Sequence, residues 1–164
     1  MHGRVWKFGD GISTDDIIPG RYFHLRGKLP ELAKHVLEDV NPDFSVKVEK
    51  GDFVVAGSNF GQGSSREHAA TTIRLMGVSA VLAKSFARIF YRNAVNVGLP
   101  VIMCNTDLIE NGDELEIDLN GGMINNLSKK KKLKTKAIPR FMLRILEDGG
   151  LLRHIKKYGK FQMK

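Results

Sequence analysis

Gly57-Ser58-Asn59-Phe60-Gly61-Gln62-Gly63-Ser64-Ser65-Arg66-Glu67-His68 is the stretch on which the reading of the fold turns. Ahead of it, Phe53-Val54-Val55-Ala56 is a short apolar run of β-rich composition and predicts a buried strand. Behind it, residues 69–76 carry Ala, Ile, Leu and Met and run into Gly77, the pattern of a helix with a glycine stop. The three pieces together predict a glycine-rich strand-to-helix turn. Gly61 and Gly63 permit positive φ and leave room for a ligand to come close. Ser64 or Ser65 is expected to cap the helix, whose unpaired N–H groups and partial positive charge then face the turn. Arg66 adds a planar fork of donors that fits a carboxylate or phosphate. These residues favour an anion site, and a plain serine cap followed by Glu67 is the alternative they leave open.

Three better-known loops are excluded. No Lys-Ser or Lys-Thr pair follows the glycines, so this is not a P-loop. No glycine stands two places after either serine, which removes a nucleophile elbow. The glycine spacing also fails the dinucleotide fingerprint.

Further out, the chain alternates strand and helix. Residues 78–83 predict a second buried strand, 86–97 a helix stopped by Gly98, and 99–104 a third strand. Short links between these pieces call for crossovers and a parallel sheet, with residues 3–8 as a further strand. The glycine turn then lies at the carboxyl edge of that sheet, where open α/β sheets hold ligands. Lys84-Ser85 and the segment 88–92 could reach the same edge, or serve only as helix start and surface. Residues 114–119 alternate charged and apolar, and Asn120-Gly121-Gly122 turns them into 123–127 as a hairpin; 133–137 is read as a third antiparallel strand. Helices are expected from Pro30 (with Leu32, Ala33, Val36 and Leu37 on one face), from Pro139, and over 151–158.

Composition bounds the rest. With 164 residues and no linker long enough to divide them, residues 1–164 read as one domain able to build a core without disulfides. The single cysteine, Cys104, excludes an internal disulfide framework and any metal cluster held by several cysteines of this chain. No apolar run reaches membrane-spanning length and the start lacks a signal-peptide pattern, so a cytoplasmic protein with no membrane contact is expected. The formal charge of +8 raises nucleic acid as a partner. Its sources are a run over Lys129, Lys130, Lys131 and Lys132 and a basic C-terminus that includes Lys160 and Lys164. Few aromatics are interleaved for stacking on bases, so a solvated basic surface is the better reading.

The first loop, Gly9-Asp10-Gly11-Ile12-Ser13-Thr14-Asp15-Asp16-Ile17-Ile18-Pro19-Gly20, is turn chemistry ending in a breaker. Asp15 and Asp16 are adjacent acids that either cap a local turn or hold a basic group of a site, and the sequence divides the two evenly. After it come Tyr22, Phe23, His24, Leu25, Arg26 and Gly27, the mixture of a loop reaching into a site. His24 and His35 lack a second His or Cys at ligand spacing and are read as surface or satisfied histidines.

Thr14-Asp15-x-Ile17-x-Pro19-Gly20, Gly61-x-Gly63-Ser64-Ser65-Arg66-Glu67-His68 and Lys84-Ser85-Phe86-Ala87-Arg88-Ile89, in that order, resemble the swivelling domain of the aconitase superfamily. With Phe90-Tyr91-Arg92-Asn93 and the closing Gly149-Gly150-Leu151, nearly the whole chain is similar to the stand-alone small subunits of the 3-isopropylmalate dehydratase family. The resemblance implies an α/β fold of three layers, β/β/α, with a parallel sheet core and a smaller antiparallel sheet. It implies a hydro-lyase acting on a hydroxy-diacid, in leucine biosynthesis, and no metal on this chain. A separate large subunit, in a heterodimer or heterotetramer, would carry a [4Fe–4S] cluster. Through the resemblance, Ser64 becomes the base that takes the carbon-bound proton, Ser65 and Arg66 bind a substrate carboxylate, and Asp15 orients basic groups. Tyr22, Leu25 and Arg26 fall in the segment that reads the substrate's variable group. Arg26 resembles the arginine-bearing pattern of tricarboxylate enzymes, while Tyr22, Phe23 and Leu25 offer apolar surface, so isopropylmalate leads and homoaconitate or another alkylmalate stays open. Gln62 departs from the family, where many relatives carry cysteine. A basic RNA-binding module and a carboxylate-binding module without catalysis are the alternatives of another class.

Overall fold

A computed structural model describes residues 1–159. In chain order the elements are β1 (His2–Lys7), α1 (Thr14–Ile17), α2 (Leu29–Ala33), α3 (Phe44–Lys47), β2 (Phe53–Val55), α4 (Glu67–Leu75), β3 (Ala80–Ala83) and α5 (Arg88–Val97). They continue with β4 (Val101–Met103), β5 (Glu114–Asp118), β6 (Met123–Asn126), β7 (Lys131–Lys134), α6 (Arg140–Glu147) and α7 (Leu151–Tyr158). The strand order is β4-β3-β2-β1-β5-β6-β7. The pairs from β1 to β4 are parallel and those from β1 through β5 and β6 to β7 are antiparallel.

The hinge of this arrangement is β1. Its first half pairs with β5 (Gly3 with Leu115) and its second half with β2 (Val5 with Phe53). One strand therefore hands the chain from the antiparallel part to the parallel part. The parallel strands are covered on both faces, which is why they read as unbroken apolar runs. Val54, Val81, Ala83 and Val101 face the helices and pack with Trp6, Phe8, Phe44, Ile73 and Phe90. Phe53, Val55, Ala80, Leu82 and Ile102 face the other way, against Leu115, Ile117, Ile124 and Leu133 of the antiparallel strands. The alternation of strand side chains thus builds two cores and three layers, the β/β/α fold that the resemblance implied.

Some boundaries move. The helix expected from Pro30 stops at Ala33, because Leu37 takes φ 58° and gives its N–H to the Ile17 carbonyl at 3.0 Å. Its apolar face survives all the same: Leu32, Ala33, Val36 and Leu37 are all buried. The third antiparallel strand begins two residues earlier than expected and takes in the lysine run. Leu133 is buried opposite Ile124 while Lys131, Lys132 and Lys134 are exposed. As the outer strand of the sheet, β7 carries the charges that discourage edge-to-edge pairing. Lys160 and Lys164 lie outside the described residues.

Candidate active site

Two loops at the carboxyl ends of β1 and β2 are laced together by main-chain hydrogen bonds. Gly57 N–H donates to Gly9 O (3.0 Å), Gly61 N–H to Ile12 O (2.7 Å) and Thr14 N–H to Gln62 O (2.8 Å). Gln62 Nε2 adds a bond to Gly11 O at 2.8 Å, so the glutamine is a tie between the loops. From the third crossover, Ser85 Oγ accepts from Asn59 N–H at 2.8 Å. Lys84 instead pairs with Asp107 at 2.7 Å.

Gly61 and Gly63 both take positive φ, 79° and 103°. The expected room at Gly61 is used by the protein and not by a ligand: a Cβ there would lie 2.2 Å from the Phe90 ring. The serines do not cap the following helix either. Arg66 is the N-cap of α4 and makes no side-chain cap bond, while Ser64 O accepts the Arg66 N–H at 2.8 Å. Ser64 and Ser65 are consequently exposed, in front of the uncapped start of α4 with its partial positive charge.

The adjacent acids divide the two roles between them. Asp16 closes a capping box on Ser13, accepting from its N–H and its hydroxyl at 2.7 Å each. Asp15 points the other way and pairs with Arg66, Nη1 to Oδ1, at 2.5 Å. Arg66 Nη1 also donates to Ile18 O at 3.0 Å. Ser64 Oγ sits 3.3 Å from Thr14 Oγ1, which is itself buried.

An open depression of about 260 Å³ is lined by Phe23, Ser64, Ser65 and Arg66. Of the segment after Pro19-Gly20, the side chain on its wall is Phe23. The guanidinium of Arg66 lies 5.6 Å from the Phe23 ring centroid and that of Arg26 4.8 Å from it, so one ring supports two cations. His68 meets the same ring edge-on, with centroids 6.4 Å apart. Tyr22 is turned to the interior, stacked on His35 at 3.7 Å, and Leu25 packs against the helix-side core. His35 is itself paired with Glu38 at 2.7 Å. The structure therefore brings Ser64, Ser65, Arg66 and Asp15 together, sets Arg26 beside them behind Phe23, and keeps Tyr22 and Leu25 off the wall. Thr14 and Phe23 are additions to the site. The first stands in the Thr14-Asp15-x-Ile17 motif beside the capping box at residues 13–16, and the second was expected only as apolar surface of the loop reaching into a site, alongside Tyr22 and Leu25.

Among the described residues no group of three or more His, Cys, Asp and Glu converges as a metal site. The Cys104 thiol is pushed up to about 11 by burial, which removes it as a ready thiolate. No helix of the described residues is long and apolar enough to cross a membrane.

A glycine turn that ties two sheet-edge loops, and presents a serine pair beside an anchored arginine, defines an α/β domain of the aconitase type. Residues 28–106 match the family model described as the aconitase C-terminal domain. The chain is 60% identical over 163 residues to 3-isopropylmalate dehydratase small subunit 2 of Archaeoglobus fulgidus, covering 99% of both. It is 62% identical over 162 residues to the corresponding small subunit 1 of Thermotoga maritima, covering 98% of both. A methanogen homoaconitase small subunit from Methanothermobacter thermautotrophicus is 54% identical over 157 residues, 96% of this chain and 91% of the relative. The crystal structure of a 3-isopropylmalate dehydratase from Methanocaldococcus jannaschii superposes with a TM-score of 0.91 at 49% identity, over 96% of this chain and 94% of that one. The chain belongs to the family of 3-isopropylmalate dehydratase small subunits.

Proposed function

We propose that this chain is the small subunit of a 3-isopropylmalate dehydratase, a hydro-lyase that interconverts 2- and 3-isopropylmalate by removing and returning water. The observation that carries the proposal is the shared depression of Phe23, Ser64, Ser65 and Arg66. Arg66, held by Asp15 and Ile18 O, offers its remaining donors as a fork for a substrate carboxylate, and Ser65 stands beside it. Ser64 takes the carbon-bound proton. A serine hydroxyl is a weak base in water, so its alkoxide needs donors already in place. The Thr14 hydroxyl, the N–H groups at the start of α4 and the Arg66 charge supply them, and each counts for more once water is excluded. Closing the depression requires a second body, because on this chain it is open.

That second body is the large subunit, in a heterodimer or heterotetramer, and the proposal assigns the [4Fe–4S] cluster to it. This chain's share of the chemistry is carboxylate binding and proton transfer. Arg26, stacked on Phe23 at the rim, favours a second reading in which the substrate carries a further carboxylate, as in homoaconitate. One experiment addresses both: turnover of a panel of hydroxy-diacids by this chain mixed with its cognate large subunit, with each subunit alone as control. Activity on isopropylmalate that needs both chains supports the proposal. Turnover of homoaconitate instead supports the second reading, and inactivity of a cluster-loaded pair on every diacid overturns both.

A further inference from the structure

At the opposite pole, beside the amino ends of β2, β3 and β4, lies a larger depression of about 780 Å³ lined by Lys50, Arg74, Met76, Ser79 and Pro100 among others. Three helices, α4, α5 and α6, end around it. Arg74 accounts for part of their unpaired carbonyls: its Nη1 donates to Val97 O and, at 3.2 Å, to Gly149 O. A second guanidinium approaches the first, and among the described residues it donates to no carbonyl. Arg153, exposed in the first turn of α7, brings Nη1 to 3.0 Å from the point where a Cβ on Gly149 would sit, and Arg74 Nη2 lies 3.1 Å from that same point. Among the described residues neither arginine is ion-paired with a carboxylate. Burial, then the nearness of Arg153, weakens the hold of Arg74 on its proton, as expected for two like charges held together. Lys50 and the start of α7 add positive charge to the same pole.

We infer that this pole binds a small oxyanion of the phosphate type between Arg74 and Arg153. A dianion there offsets the repulsion between the guanidiniums and uses their planar forks; Ser79 and Lys50 line the depression beside Arg74 as further donors, while Arg153 reaches Arg74 over Gly149 from outside that lining. The apolar floor given by Met76 and Pro100 leaves space for the organic body of a phosphate ester. The site is separate from the serine-arginine depression at the carboxyl edge of the sheet, and does not rest on the proposed function.

Titration of inorganic phosphate into the intact isotope-labelled chain, read by amide chemical shifts, tests this. Saturable shifts are expected at Ser79, Gly98 and Gly149. Arg153→Gln, a surface change that leaves the Arg74 bonds to Val97 and Gly149 intact, should weaken that binding by about tenfold, the effect of one lost charge-assisted hydrogen bond. Arg66→Ala should leave it unchanged. Absence of shifts at these amides throughout the millimolar range overturns the inference, as do shifts that persist unchanged in Arg153→Gln. Shifts there with an RNA oligonucleotide but none with phosphate would also overturn it, marking a polyanion surface instead.

Discussion

Asp15 and Arg66 meet at 2.5 Å across the seam between the first loop and the glycine turn, although 51 positions separate them in the sequence. The pair fixes the direction of a guanidinium whose side chain is 21% exposed, while the carboxylate remains 64% exposed. An ion pair this wet contributes little to folding, about 0.2–1 kcal/mol. Its value is geometric, since it leaves one edge of the guanidinium to face the depression.

Asp15→Asn should therefore barely change the melting temperature but should lower kcat/KM of the assembled enzyme by about tenfold or more, as a displaced positioning group does. Thermal denaturation of the chain and steady-state kinetics of the pair measure the two separately. A large loss of stability with unchanged kinetics would mean that the pair is structural.

Phe23 supports Arg66 and Arg26 on one ring. Phe23→Leu keeps apolar surface and removes the π face, worth about 0.5–1 kcal/mol for each exposed cation. The expected outcome is a KM raised by a few-fold at nearly constant kcat, with an unchanged fold by circular dichroism. Tyr22→Phe, away from the wall, should leave KM where it is.

Gly61→Ala introduces a Cβ at 2.2 Å from the Phe90 ring on a backbone at φ 79°. Overpacking alone costs about 1–3 kcal/mol, and the left-handed conformation adds about 1 kcal/mol. Gly27→Ala, with no atom within 4 Å of the new Cβ, should stay within about 0.5 kcal/mol of the parent. Chemical denaturation of the two variants gives the comparison directly.

Burial disfavours the thiolate of Cys104 and raises its pKa to about 11, against an ordinary value near 8.5. In the native chain at pH 8, alkylation by iodoacetamide should be about 10²-fold slower than in denaturant, and should accelerate as the pH approaches 11. Equal rates in both states would place the thiol in solvent.

Much of this was legible in the sequence where local chemistry and tertiary structure agree. The runs at Phe53 and Ala80 are apolar without interruption because both faces of the parallel sheet are covered, and the glycines of the turn do take positive φ. What escaped was set by distant partners. Leu37 leaves the helical path for the Ile17 carbonyl, and no local signal announces a bond across that distance. The division of β1 between β5 and β2 depends on both sheets at once. The space beside Gly61 was read as a ligand's and belongs to Phe90, because a glycine shows that something comes close but not what. Phe23 and Tyr22 are neighbours of similar chemistry, and only the stacking of Tyr22 on His35 decides which ring reaches the depression.

Ser64→Ala, assembled with the cognate large subunit, tests the assignment of this chain to half of an active site most directly. Dehydration of isopropylmalate should fall by about 10²–10⁴-fold, the loss expected when a proton-transfer group is removed, while substrate affinity measured by calorimetry stays nearly constant. A Ser64→Ala enzyme that turns over at the parental rate would contradict the assignment and leave the depression as a carboxylate-binding surface only.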